Sequence, residues 1–156
     1  MKMRSFLTVL VSVSMLSSLV GCANVAKLDT PSGFATLESD DAFAYRALSA
    51  KGVVVATRTE KNELKGNTEF WAESIDQKLF RAGYIKQSEK TVKASSGLEG
   101  RQLRYTVERN GREHRYWVTV FLKGTRVVVV EAAGDTQHFV PLEATLERTI
   151  TTLRAD

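Results

Sequence analysis

Residues 101–133 constrain this chain more than any other stretch. From Arg101 to Arg109, Leu103, Tyr105 and Val107 alternate with Arg104, Thr106 and Glu108, the period of two that marks a strand. Asn110-Gly111 follows, the pair best suited to a two-residue hairpin turn with positive φ at both positions. The run from Glu113 to Lys123 is apolar on both faces, with Tyr116, Val118, Val120 and Leu122 opposing Trp117 and Phe121. Gly124-Thr125 makes a second tight turn, and Val127 to Val130 is continuously apolar. Strands apolar on both faces belong in the middle of a sheet covered on both sides. The rest of the chain must therefore supply a layer above and a layer below.

Two amphipathic segments fit that role. Asn67 or Thr68 can cap a helix, Glu69 lies in its first turn, and Trp71, Ile75, Leu79 and Ala82 recur at helical spacing before Gly83 stops it. Near the C-terminus Phe139, Leu142, Leu146, Ile150 and Leu153 form a second stripe. Pro141 fits a first turn, so this helix is predicted to begin near Val140. Phe43 to Leu48 and Val53 to Thr59 read as a hairpin, Tyr84 to Val92 as a further strand, and Ala94 to Gly100 as a loop. The order β-β-α-β-β-β-β-α predicts an α+β domain with a mainly antiparallel sheet of about six strands and two helices. Residues 42–156 are predicted to be this single domain. Residues 22–41, punctuated by Pro31, Gly33 and Ser39-Asp40-Asp41, are predicted to be a tether on which Phe34 and Leu37 could still dock.

The first 21 residues have a different character. Lys2 and Arg4 precede an apolar run from Phe6 to Leu16, which is too short to span a bilayer and laid out like an export signal. It ends in Leu19-Val20-Gly21-Cys22, and Cys22 is the chain's one cysteine. These four residues resemble the lipobox of bacterial lipoproteins. The resemblance implies cleavage before Cys22, a diacylglyceryl group on its sulfur and acylation (palmitate) of the new amine. Ala23 and Asn24 follow, with no Asp at the second mature position, which implies the periplasmic face of the outer membrane. Two or three acyl chains give stable anchoring where one is marginal.

The pattern of long hairpin strands, Tyr116 to Leu122, Gly124, Val127 to Val130, Ala132-Ala133-Gly134 and an aromatic-led last helix at Phe139 resembles the Mog1/PsbP-like superfamily over about residues 40–155. That resemblance implies a largely non-enzymatic module, with members among periplasmic lipoproteins and secretion chaperones.

Motifs for chemistry are sparse. The net charge of +4 shrinks once Lys2 and Arg4 are set aside, leaving 20 bases against 18 acids, which gives little support for nucleic-acid binding. His114 and His138 have no ligating partner at a useful spacing, so no metal site and no cofactor are expected. Neither Ser88 nor Ser95-Ser96-Gly97 lies in a nucleophile elbow, and there is no phosphate-binding glycine loop. No catalytic residue is expected, and the chain is not expected to be an enzyme. Arg101, Arg104, Arg109, Arg112, Arg115 and Arg126 gather on neighbouring strands, but Glu99, Glu108 and Glu113 among them favour a solvated, balanced face. Trp71 is expected in the core. Trp117, whose face also carries Arg115 and Thr119, is with Arg104 and Arg115 the candidate binding surface. The expected partners are the membrane, through Cys22, and another envelope protein. The alternative is a small ligand or lipid held in a pocket between sheet and helix.

Overall fold

The computed structural model describes residues 26–38 and 40–155. The signal segment and Cys22 lie outside the described residues. Its strands are β1 (Ala26–Lys27), β2 (Phe34–Thr36), β3 (Tyr45–Ser49), β4 (Val54–Lys61), β5 (Ile85–Lys93), β6 (Glu99–Arg109), β7 (Arg112–Lys123), β8 (Arg126–Asp135) and β9 (Arg154–Ala155). Its helices are α1 (Thr68–Arg81), α2 (Thr136–Phe139) and α3 (Glu143–Thr151). Strands β2 to β8 form one seven-stranded antiparallel sheet in the order β2-β3-β4-β8-β7-β6-β5. The expected α+β class therefore stands, with one strand more than predicted.

The two-faced strands β7 and β8 are central, with a helical layer on each side. On one face, Trp71, Ile75 and Leu79 of α1 pack on Leu103, Tyr105, Val118, Val120, Val127 and Val129. On the other, Phe139 and then Leu146, Ile150 and Leu153 pack on Trp117, Phe121, Val128, Val130 and Ala132. The β6–β7 turn has φ of 52° at Asn110 and 71° at Gly111, the double positive φ that this pair suits.

Three expectations need correction. The tether 22–41 is not a free tether over most of its length: β1 pairs with β9 at the far end of the chain, Leu28 is buried, and β2 extends the main sheet beside β3. Apolar Ala26, Leu28 and Phe34 gain enough burial to order a segment too short to show a period. Helical structure at the C-terminus begins at Thr136, not Val140, because the Asp135 carboxylate caps it, accepting from the Gln137 N–H at 3.0 Å. Pro141 sits in a 3-10 turn, Val140–Leu142, between α2 and α3. In α1, Asn67 is the cap, accepting from the Phe70 N–H at 2.8 Å, while Ala82 is the exposed C-cap and Ala72 takes the core position instead.

Candidate functional site

Of the three residues expected to form a binding surface, Trp117 is overturned. It is 2% exposed and its ring meets Phe139 edge-on, with centroids 5.0 Å apart. Arg104 covers the remaining side, with its guanidinium carbon 3.8 Å from the Trp117 ring centre. That stacking brings Arg104 to Trp117 as the pattern suggested, but as a lid over the core rather than a free cation. Arg104 is held from two more directions: its Nε donates to the Gln102 side-chain oxygen at 2.8 Å, and its terminal nitrogen pairs with Glu147 of α3. Gln102, itself buried, donates to Thr119 Oγ1 at 3.1 Å. A polar residue on the Trp117 face is thus no sign of solvent there, because Thr119 and Gln102 satisfy each other.

Arg115, two residues before Trp117 on the same strand, is 3.7 Å from Glu113. Arg101 pairs with Glu89, Arg112 with Asp135, and Arg109 stacks over Tyr84. The six arginines do not form one patch. His114 sits 3.2 Å from the Arg112 carbonyl oxygen, and His138 lies in the last turn of α2. Among the described residues no group of three or more His, Cys, Asp or Glu is placed to hold a metal ion.

Sequence reasoning missed a groove of about 760 Å³ between α1 and the β5–β6 edge. Helix α1 lies over β6 and β7 and leaves β5 beyond its flank. Glu69, Phe70, Glu73 and Asp76 form one wall, and Lys86, Glu89 and Arg101 the other. Asp76 and Glu89 are paired within it, while Glu69 and Glu73 have no ion-pair partner among the described residues. Lys86 donates to Asp76 at 2.7 Å and also approaches Glu89, which binds Arg101. The bond to Asp76 holds the Lys86 ammonium above its ordinary pKa. Burial pushes Asp76 upward, but hydrogen bonds from Lys86 and from the Tyr105 hydroxyl outweigh it and leave the carboxyl below its ordinary value. Burial and the Asp76 contact raise the Tyr105 phenol, so it remains a donor. On the opposite face, Lys90 and Arg104 depress Glu147. The contacts behind these shifts link α1 and α3 to the sheet.

Strand β5 itself is unusual. It is the terminal strand of the sheet, nine residues long, and of these residues only Val92 is buried. Its outer row of backbone N–H and C=O groups has no strand beside it among the described residues. The opposite edge, β2, has three residues. Lysines commonly guard such edges. Here Lys86 is drawn onto the α1 face by Asp76 and Lys90 onto the α3 face by Glu147, at 2.7 Å each. The sequence signal was a strand-length run with polar residues on both faces.

No protein-family model and no curated protein matches the sequence. Solved structures do match its fold. LpqN from Mycobacterium tuberculosis, described as involved in cell envelope biogenesis, superposes with a TM-score of 0.67 at 12% identity over 83% of each chain. The cyanobacterial PsbP of Synechocystis superposes at 0.56 with 10% identity, over 88% of this chain and 95% of that one. PA94 from Pseudomonas aeruginosa, a putative regulator of unknown function, superposes at 0.50 with 13% identity, over 85% of this chain and 98% of that one. The fold is PsbP-like, an α+β domain on a mostly antiparallel sheet. At these identities the likeness concerns the fold alone.

Proposed function

We propose that this chain is a lipid-anchored envelope lipoprotein, held by Cys22 on the periplasmic face of the outer membrane, that binds another envelope protein without catalysing a reaction. The observation that carries the partner reading is the bare β5 edge beside the α1 groove. An extended segment of a partner could add to β5 as an extra strand, with alternate side chains entering the groove. Glu69 and Glu73 have no ion-pair partner among the described residues, whereas Lys86 and Arg101 are already paired, so a basic segment fits the groove. The likeness in fold to LpqN supports an envelope role. The groove is open and charged rather than enclosed and dry, which favours a protein partner over a small apolar ligand.

Two experiments test this reading. Cells fed a clickable fatty acid should label the wild type and leave Cys22→Ser unlabelled; equal label on both, or on neither, removes the anchor. A photo-crosslinking amino acid at Thr91 should join an extended, basic peptide of an envelope protein in intact cells, and the same probe at Lys51 should not. Recovery of monomer alone at Thr91 would refute the β5 reading.

A further inference from the structure

The end of the sheet opposite the Asn110-Gly111 turn carries a row of charge that the fold does not need. Lys61 of β4 stands opposite Arg126 of β8, and Arg126 stands opposite Lys123 of β7. Three bases therefore lie side by side in register, about 4.8 Å between strands, and none has an ion-pair partner among the described residues. Like charges directly opposite one another on a sheet are destabilising. The row costs some stability in water, and an anionic surface meeting it would relieve that cost.

Beside the row stands a loop built to project. Asn62 binds it at every side: its N–H donates to the Thr125 carbonyl at 2.8 Å, its side-chain amide donates to the Gly66 carbonyl at 2.8 Å, and its side-chain oxygen accepts from Gly66 N–H and Trp71 Nε1 at 3.0 Å each. Lys65 takes a left-handed φ of 51° to close the turn. At the tip of this held loop Leu64 is 70% exposed. An apolar tip held at the same end of the sheet as Lys61, Lys65, Lys123 and Arg126 matches a lipid surface, where the tip enters the headgroup region and the bases meet phosphates.

The start of β1 adds the third observation. The carbonyl of Ala26 accepts from Thr57 Oγ1, on β4 and on the same sheet face as Lys61 four residues further on, about 13 Å along the strand. Only residues 23–25 separate Ala26 from Cys22, and four residue steps span at most about 14 Å. An anchor at Cys22 therefore leaves the domain little freedom to stand away from the membrane.

We infer that the Lys61–Arg126–Lys123 row and the Leu64 loop form a docking surface for a bilayer containing anionic phospholipid, which sets the domain's orientation on the membrane. The orientation rests on the anchor proposed above; the surface chemistry does not. The test uses the full chain in vesicles, with an environment-sensitive dye on Leu64→Cys or, at the opposite end of the sheet, on Lys51→Cys. In vesicles containing phosphatidylglycerol and brominated lipid, dye at 64 should be quenched and dye at 51 should not. Neutralising Lys61, Lys123 and Arg126 to Gln should weaken docking about fivefold per charge, or roughly a hundredfold together, and bring the signal at 64 down to that at 51. Because the row repels itself, this triple variant should fold at least as well as the parent, as circular dichroism will show. Equal quenching at both sites, persistence in the triple variant, the same quenching in phosphatidylcholine alone, or a response only to soluble polyphosphate would each overturn the inference. Mass spectrometry separates this failure from failure of the anchor. One dye per chain on Leu64→Cys means that Cys22 is blocked. Two dyes mean that it is not, and the surface is then judged by the same quenching on a Cys22→Ser background.

Discussion

Replacing Asn62 with Ala would test how the loop after β4 is held. The substitution keeps both backbone bonds of this residue, from its N–H to Thr125 and from the Lys65 N–H to its carbonyl. It removes three side-chain bonds, to the Gly66 carbonyl, from the Gly66 N–H and from the Trp71 indole, all between 2.8 and 3.0 Å. A hydrogen bond contributes about 1 kcal/mol net, and a polar group left unsatisfied costs more if it is buried. Gly66 and Trp71 are only half-buried, so water can replace part of what is lost. The expected destabilisation is therefore about 2 kcal/mol rather than three full bonds plus a penalty. For a domain of this size that is a fall in Tm of about 8 °C. Urea unfolding followed by tryptophan fluorescence should show a lower midpoint with an unchanged slope, since the surface exposed on unfolding stays the same. Asn62→Asp keeps the acceptor for Gly66 and Trp71 but loses the donor to the Gly66 carbonyl, and should cost about 1 kcal/mol. A loss below about 0.5 kcal/mol in Asn62→Ala would show that the loop is held by something other than this side chain.

Two further outcomes follow from packing and charge. Gly100→Ala would place a methyl carbon 2.6 Å from the Val120 carbonyl oxygen and 2.6 Å from the Phe121 ring, so β7 must shift; differential scanning calorimetry should show a loss of about 1–3 kcal/mol, and a neutral result would mean that β6 and β7 separate freely. The Asp76–Lys86 pair should stabilise the fold across a defined pH window. Asp76 titrates below its usual 3.8 in the folded protein, so its contribution is complete above that value and lost as pH falls through the depressed one. Lys86 titrates above its usual 10.5, so its contribution is complete below that value and lost as pH rises through the raised one. Urea midpoints measured from pH 2 to 12 should therefore fall at both extremes, less steeply in Asp76→Asn; identical profiles for both proteins would sink this assignment.

The central hairpins and α1 were legible because each carries a strong local signal: the period-two runs around Asn110-Gly111, and the 3.6-residue stripe between Asn67 and Gly83. What escaped is non-local. A two-residue strand has no period, and Ala26 finds its partner at Ala155, so β1 and β9 exist only through tertiary pairing. Trp117 was misplaced because Arg115 and Thr119 share its face, and pattern alone does not reveal that the Arg104 guanidinium and Phe139 close over it. The groove beside β5 was invisible for the same reason, since its walls come from α1 and from strands that follow it in the chain.

The order of residues 26–38 changes what an anchor at Cys22 would do. A tether of 20 flexible residues would let the domain tumble and present any face to a partner. Ala26 is already paired in the fold, and only three residues separate it from Cys22, so the membrane would select one face and one end of the sheet. Strand β5 lies at one edge of that sheet, with β6, β7 and β8 between it and β4, while β1 lies over β4. Strands about 4.8 Å apart put that edge roughly 19 Å across the sheet from the start of β1. With the Lys61–Arg126–Lys123 end against headgroups, the free edge of β5 would face sideways, at an angle set by the twist accumulated over the strands between. The two surfaces are thus mechanically compatible: one sets the tilt of the sheet, and that tilt aims the other.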